Sequence, residues 1–170
     1  MELKGGAGVK EVFIDISRCV GCKSCEIACA VAHSESRSLF GAIAEKVPPR
    51  KRIFVHAVDS SKVPINCRHC EEARCVAVCP TGAMFRDEQS GTILHDPERC
   101  LGCGFCEIAC PFGVITRLPE RKIVAKCDRC PDRQVPACVE ACPTNALLYL
   151  TPQDAQKVKR QRVVAQFVAS

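Results

Sequence analysis

Sixteen cysteines in 170 residues fall into four complete groups of four, with none left over. They are Cys19, Cys22, Cys25 and Cys29; Cys67, Cys70, Cys75 and Cys79; Cys100, Cys103, Cys106 and Cys110; and Cys127, Cys130, Cys138 and Cys142. The first and third quartets share the spacing C-x2-C-x2-C-x3-C at an offset of 81 residues, and RCVGCKSCEIAC (18–29) matches RCLGCGFCEIAC (99–110) at nine of twelve positions. The second and fourth widen the middle gap to four and seven residues, yet they end alike, in RCVAVCPTGAMF (74–85) and ACVEACPTNALL (137–148). A two-motif unit has been duplicated, and any fold must bring each set of four sulfurs together.

Cysteine density alone fits either a disulfide framework or a metal-loaded protein. The opening MELKGGAGVKEVF has neither the apolar stretch nor the small-residue cleavage site of a secretory signal, so a reducing, cytoplasmic setting and bound metal are expected. No apolar run approaches the roughly 18 residues of a membrane-crossing helix, so no transmembrane segment is expected. The hydrophobic share of 47% includes all sixteen cysteines, and the chain has no Trp and one Tyr. Its conventional core is thin, and the cofactor must supply part of the folding energy.

Iron–sulfur chemistry explains the spacing best. In the bacterial ferredoxin run C-x2-C-x2-C-x3-C-P, three closely spaced cysteines hold three corners of one 4Fe–4S cube, and the fourth serves the neighbouring cube. Pro80, Pro111 and Pro143 follow Cys79, Cys110 and Cys142; Ala30 follows Cys29, a slight departure. Zinc sites pair two C-x2-C knuckles across a longer spacer, whereas three cysteines in seven residues crowd a tetrahedral ion. Four 4Fe–4S clusters are therefore expected, with all sixteen cysteines as iron ligands and no catalytic residue. The formal charge of +5 would suit nucleic acid, but four oxidised cubes with their thiolates add about −8. The basic excess then offsets the cofactor, and no nucleic acid is expected as a partner.

The remaining motifs are weak. Gly5-Gly6-Ala7-Gly8 follows no strand, so it is read as a chain end and not a nucleotide loop. His69, between Cys67 and Cys70, is read as lying beside a cluster. His33, His56 and His95 have no partner that spacing identifies.

An α+β fold of short strands and single-turn helices is expected. Val12–Ile16 reads as a strand; Ala83–Arg86 and Thr92–His95 flank the turn Asp87–Gly91; Val114–Leu118 and Lys122–Lys126 flank Pro119–Arg121. The 37 residues between Cys29 and Cys67 are too many for a bare loop, so a strand over Ile53–Val58 and some turns are expected there. Thr151-Pro152 opens a basic helix running to about Phe167.

Over about residues 10–150 these quartets resemble the four-cluster ferredoxin subunits of multi-subunit redox enzymes, the type seen with dimethyl sulfoxide reductase, formate dehydrogenase and formate hydrogenlyase. CEIACAVAHSESRSLFGAI (25–43) and VPINCRHCEEARCVAVCPTGA (63–83) look most like the CooF type, the iron–sulfur subunits of anaerobic carbon monoxide dehydrogenase systems. The resemblance implies two nested bacterial-ferredoxin-like dicluster halves, 10–35 with 120–150 and 60–118, with an insertion at 36–59 and a basic tail at 151–170. It also implies the ligand sets Cys19, Cys22, Cys25, Cys142; Cys29, Cys127, Cys130, Cys138; Cys67, Cys70, Cys75, Cys110; and Cys79, Cys100, Cys103, Cys106. Spacing alone leans the same way, because the 20 residues between Cys79 and Cys100 read as strand, turn and strand. The 16-residue spacer from Cys110 to Cys127 also reads as a hairpin, so pairing of quartets three and four stays open.

The function implied is a polyferredoxin-type electron carrier that relays single electrons from a nickel–iron carbon monoxide dehydrogenase to a downstream redox enzyme, such as a hydrogenase or an NAD(P) oxidoreductase. A fixed subunit of a formate- or hydrogen-linked complex is the alternative. The basic residues Arg50, Lys51 and Arg52, and Lys157, Lys159, Arg160 and Arg162 in the tail, are candidate contact regions.

Overall fold

A computed structural model describes residues 8–169, so Gly5, Gly6 and Ala7 of the glycine-rich stretch lie outside the described residues. Among the described residues eight short strands form four separate antiparallel pairs. β1 (Glu11–Ile14) pairs with β8 (Leu147–Leu150), so the ends of the cysteine-rich region meet; Glu11 lies opposite Leu150 and Ile14 opposite Leu147. β4 (Met84–Arg86) pairs with β5 (Ile93–His95), and β6 (Thr116–Leu118) with β7 (Ile123–Ala125). Both turns form where expected. Asp87 closes the first, its Oδ2 accepting from Ser90 N at 2.8 Å and its carbonyl from Gly91 N at 2.8 Å. Pro119–Arg121 forms a 3-10 turn in the second.

Proline decides how each quartet ends. After Cys79, Cys110 and Cys142 the chain reverses through a left-handed residue, Gly82, Gly113 or Asn145, whose N–H donates to the cysteine carbonyl at 3.2 Å in each case. The helices before those turns are accordingly short: α3 (Arg74–Ala77), α4 (Phe105–Ala109) and α5 (Ala137–Glu140). With Ala30 in place of proline, α1 (Ser24–Ala32) continues past Cys29 for three more residues. What looked like a slight departure in sequence therefore changes the local structure and delivers His33 to the interior.

The insertion holds more regular structure than a strand and turns. Ser38 caps α2 (Leu39–Ala44), its hydroxyl accepting from Gly41 N at 3.1 Å. The helix is hidden in sequence by Gly41, which is required because a Cβ there would lie 2.5 Å from Ser36 Cβ. β2 (Ile53–Val58) pairs with β3 (Ser61–Asn66), although Pro64 lies within β3. A two-stranded sheet consists of edges, and an edge tolerates a residue without an N–H. Buried Glu26 ties this hairpin to α1, accepting from Val55 N at 2.6 Å and from Lys51 Nζ at 2.7 Å. The tail forms α6 (Pro152–Ala169), with Thr151 Oγ1 accepting from Asp154 N at 3.2 Å.

Two apolar clusters fill the interior, and cysteines belong to both. Val12, Ile53, Val55 and Leu147 pack with Cys25, Cys29 and Cys138, and Cys19 and Cys142 lie against them. Met84, Ile115 and Val124 pack with Cys106, flanked by Cys75, Cys79, Cys100 and Cys110. α1 packs on α5, and α3 on α4.

One backbone feature recurs in all four quartets. The residue before the second cysteine is left-handed: Gly21 (φ 73°), His69 (48°), Gly102 (65°) and Arg129 (63°). That conformation bends the backbone between the two cysteines of C-x2-C, and it disfavours side chains by roughly 1–2 kcal/mol. At Gly102 a Cβ would also lie 2.5 Å from the Lys122 carbonyl oxygen. Gly102→Ala should therefore cost the chain one cluster, a fall from about sixteen to about twelve iron atoms by anaerobic iron assay.

Candidate metal centres

Cys25, Cys29, Cys106, Cys130 and Cys138 are buried, Cys22 and Cys103 are exposed, and the other nine are intermediate; all sixteen are free. Burial makes several thiols reluctant to ionise. It pushes Cys25 and Cys106 up to about 11 and Cys127 up to about 12, and raises Cys138 further. A group that resists ionisation among like groups becomes a stable thiolate once a metal replaces its proton.

The backbone is arranged for thiolates. Arg52 N donates to Cys29 Sγ at 3.2 Å, Met84 N to Cys79 Sγ at 3.4 Å, Gly102 N to Cys100 Sγ at 3.4 Å and Ala146 N to Cys142 Sγ at 3.2 Å. Threonine hydroxyls stand 3.8 Å from Cys79 and Cys142, at Thr81 and Thr144. Such N–H and O–H groups around sulfur tune iron–sulfur centres.

The structure gathers the cysteines across quartets. Cys79, Cys100, Cys103 and Cys106 line one small cavity. Burial first, and then the charges of Cys67 and Cys110 among others, raise Cys75. Cys142 adds to the burial and the Glu26 charge that raise Cys25. Burial and then Cys29, Cys67 and Lys126 act on Cys127, the two sulfurs upward and the ammonium downward.

Several residues around the sulfurs could not be found from sequence. Asp128 Oδ1 is 3.1 Å from His33 Nε2, and Asp128 Oδ2 accepts from Arg52 at 2.5 Å. His33 Nδ1 is 2.7 Å from the Cys29 carbonyl and 3.8 Å from its sulfur. Burial disfavours charge on His33, but Asp128 with the Cys130 and Cys29 sulfurs overcomes it and raises the imidazole to about 12. Burial also disfavours charge on Asp128, which for a carboxyl is an upward push, but His33 and Arg52 hold it well below the usual carboxylate range. His33, Asp128 and Cys130 bring ligating atoms within 4.8 Å of one another, but the His33–Asp128 ion pair already occupies two of the three. His69 accepts from Ile93 N at 3.1 Å, and burial followed by Lys126 and Arg129 lowers it to about 2. His95 is half-buried and lowered by burial, then Arg52 and Lys126, whereas His56 is exposed on β2.

The basic triplet of the insertion is spent within the chain. Lys51 pairs with Glu26 at 2.7 Å, Arg52 with Asp128 at 2.5 Å and Arg50 with Glu120 at 3.9 Å. In the tail Arg162 pairs with Asp15, while Lys157, Lys159 and Arg160 are exposed. No helix of the described residues is long and apolar enough to cross a membrane.

Comparison with known proteins agrees with this chemistry. Residues 58–151 match the family model described as a 4Fe–4S dicluster domain, and residues 16–32 match a 4Fe–4S binding domain. An iron–sulfur protein of Rhodospirillum rubrum is 37% identical over 93% of this chain and 90% of its own length. The electron transport protein HydN of Escherichia coli K12 is 36% identical over 92% and 98%, and the thiosulfate reductase electron transfer subunit PhsB of Salmonella typhi 39% over 79% and 72%. Sixteen cysteines, their buried sulfurs and these matches fit four 4Fe–4S clusters, and the chain belongs to the family of 4Fe–4S ferredoxin-type electron-transfer subunits.

Proposed function

We propose that the chain is a one-electron relay with no substrate site of its own, joining a catalytic partner to a second redox protein. A 4Fe–4S cube takes up and returns a single electron, and that is the chemistry these sites supply when loaded. The carrying observation is the exposure pattern: Cys22 and Cys103 reach the surface, whereas Cys25, Cys29, Cys106, Cys130 and Cys138 are buried. The two exposed residues mark where a partner's redox centre can approach.

The ligation proposed is the nested one, with halves 10–35 plus 120–150 and 60–118, the 36–59 insertion and the 151–170 tail. One cube takes Cys19, Cys22, Cys25 and Cys142, and the next Cys29, Cys127, Cys130 and Cys138. A third takes Cys67, Cys70, Cys75 and Cys110, and the fourth Cys79, Cys100, Cys103 and Cys106. The β1–β8 pairing, the cysteine membership of the two apolar clusters and the cavity shared by Cys79 with Cys100, Cys103 and Cys106 support it. Anaerobic preparations should contain about sixteen iron and sixteen sulfide per chain. Spectra of Cys79→Ser and Cys100→Ser should lack the same cluster; different missing clusters would favour pairing of quartets three and four.

For the donor we propose a nickel–iron carbon monoxide dehydrogenase. The resemblance of residues 25–43 to the iron–sulfur subunits of such systems supports this, and Ile27, Phe40 and Ile43 of that stretch are exposed. Carbon monoxide with catalytic amounts of that dehydrogenase should reduce this chain faster than an unrelated ferredoxin, at a rate that falls with rising salt. Equal rates would sink this donor.

A specific observation favours a second reading, a fixed subunit of a formate- or hydrogen-linked complex. Leu101, Phe105, Ile108 and Phe112, on and around the third quartet, are exposed apolar residues of the kind a permanent partner covers. PhsB is named as an electron transfer subunit, and another relative is named as part of the anaerobic dimethyl sulfoxide reductase of Escherichia coli K12. A fixed subunit loses clusters or aggregates when produced alone, and a carrier stays loaded.

A further inference from the structure

Lys126 is 2% exposed, yet its ammonium has only carbonyl partners: the Ile93 oxygen, and the Cys127 oxygen at 2.6 Å. Three other buried or half-buried cations each face a carboxylate. Arg52 meets Asp128 at 2.5 Å, Arg129 meets Glu11 at 3.2 Å and Lys51 meets Glu26 at 2.7 Å. Among the described residues Lys126 forms no such ion pair. A buried charge without a counter-charge is strongly disfavoured, so the site implies an anion that the side chains do not provide.

Its position indicates which anion. Lys126 immediately precedes Cys127 of the fourth quartet. Its other acceptor, Ile93, donates its own N–H to His69, the residue immediately before Cys70 of the second quartet. Val124, two residues earlier, packs in the cluster that holds Cys106, Cys75 and Cys110, while Cys29 and Cys138 pack in the other. Lys126 thus stands at the seam between the two packed regions. The fold does not itself require a cation here, because the place before Cys67 that corresponds to Lys126 in the duplicated unit holds buried, uncharged Asn66.

We propose that Lys126 is the shared counter-ion of the two cluster sites at the seam, Cys67, Cys70, Cys75 and Cys110 on one side and Cys29, Cys127, Cys130 and Cys138 on the other, and that it holds their reduction potentials above those they would have without it. The proposal rests on the nested ligation. Each seam site takes one electron from the donor that the relay serves, its core going from 2+ to 1+ and the cube with its four thiolates from −2 to −3. The fixed positive charge favours the more negative form. On the nested ligation these hydrogen bonds join Lys126 to no ligand of the sites that include exposed Cys22 and Cys103, so its charge favours electrons at the seam.

The test is an anaerobic dithionite titration of the full chain followed by electron paramagnetic resonance. Cys22→Ser and Cys103→Ser identify the two outer transitions. In Lys126→Gln the two seam transitions should become about tenfold less favourable, about 59 mV more negative for a one-electron couple, with the outer two unmoved. Lys126→Arg should restore them. Unmoved potentials with four clusters intact, an equal shift of all four, or a shift in the outer pair would overturn the proposal. If Lys126→Gln loads incompletely, the seam clusters should be the missing ones; loss of an outer cluster overturns it. Failure of the ligation itself appears separately, as an iron count other than about sixteen in the unmodified chain or as different clusters missing from Cys79→Ser and Cys100→Ser.

Discussion

Convergence of four sulfurs on one small volume, repeated four times, is the constraint on which the rest of this structure depends. Strands of three to six residues, and helices as short as α3, α4 and α5 with four or five, cannot stabilise themselves. Both apolar clusters contain cysteines as packing residues, so the core and the metal centres are largely one object. Ile53, Met84, Ile93, Leu147 and Val114 are the largest fully buried aliphatic side chains. Ile53, Met84 and Leu147 pack directly with cysteines in those clusters, and the energy of metal binding is for that reason folding energy.

The duplicated unit explains the regularities, and its irregularities carry the individuality of the chain. Absence of proline after Cys29 lets α1 run on to Ala32 and brings His33 to Asp128. The insertion brings Arg52, whose N–H meets Cys29 Sγ and whose guanidinium meets the same Asp128. Cys29 thereby gains polar neighbours from segments that have no counterpart around Cys110. In the left-handed position before the second cysteine, quartets one and three use glycine, while quartets two and four use His69 and Arg129, both buried. A duplicated backbone thus surrounds its four sites with different charges.

The short-range features were legible in the sequence because short-range rules govern them. The hairpins around Asp87 and Pro119, the strand at Ile53–Val58 and the Thr151-capped helix all follow from turn chemistry, alternation and capping. β3 and α2 were missed because Pro64 and Gly41 argue locally against strand and helix; an edge position and a close approach to Ser36 override them. The sixteen cysteines as a set were readable from spacing, but the partners of the surrounding charges were not. Asp128 lies 95 positions from His33 and 76 from Arg52, and no local pattern links residues so far apart.

Charge shows the same division between what a total tells and what placement tells. A formal +5 read over the whole chain resembles a basic surface protein. In the structure Arg52 and Arg129 are largely buried beside Cys29, Cys127 and Cys130, and Lys126 is fully enclosed. Exposed Lys157, Lys159 and Arg160 are screened by solvent and salt over about 8 Å at physiological ionic strength, so they do little for an anionic interior. Cations enclosed next to the sulfurs act at short range and in a lower dielectric. Placing some of the positive charge inside therefore answers a need that the same residues on the surface would leave unmet, and a basic composition becomes the counterpart of an anionic cofactor without being a nucleic-acid signature.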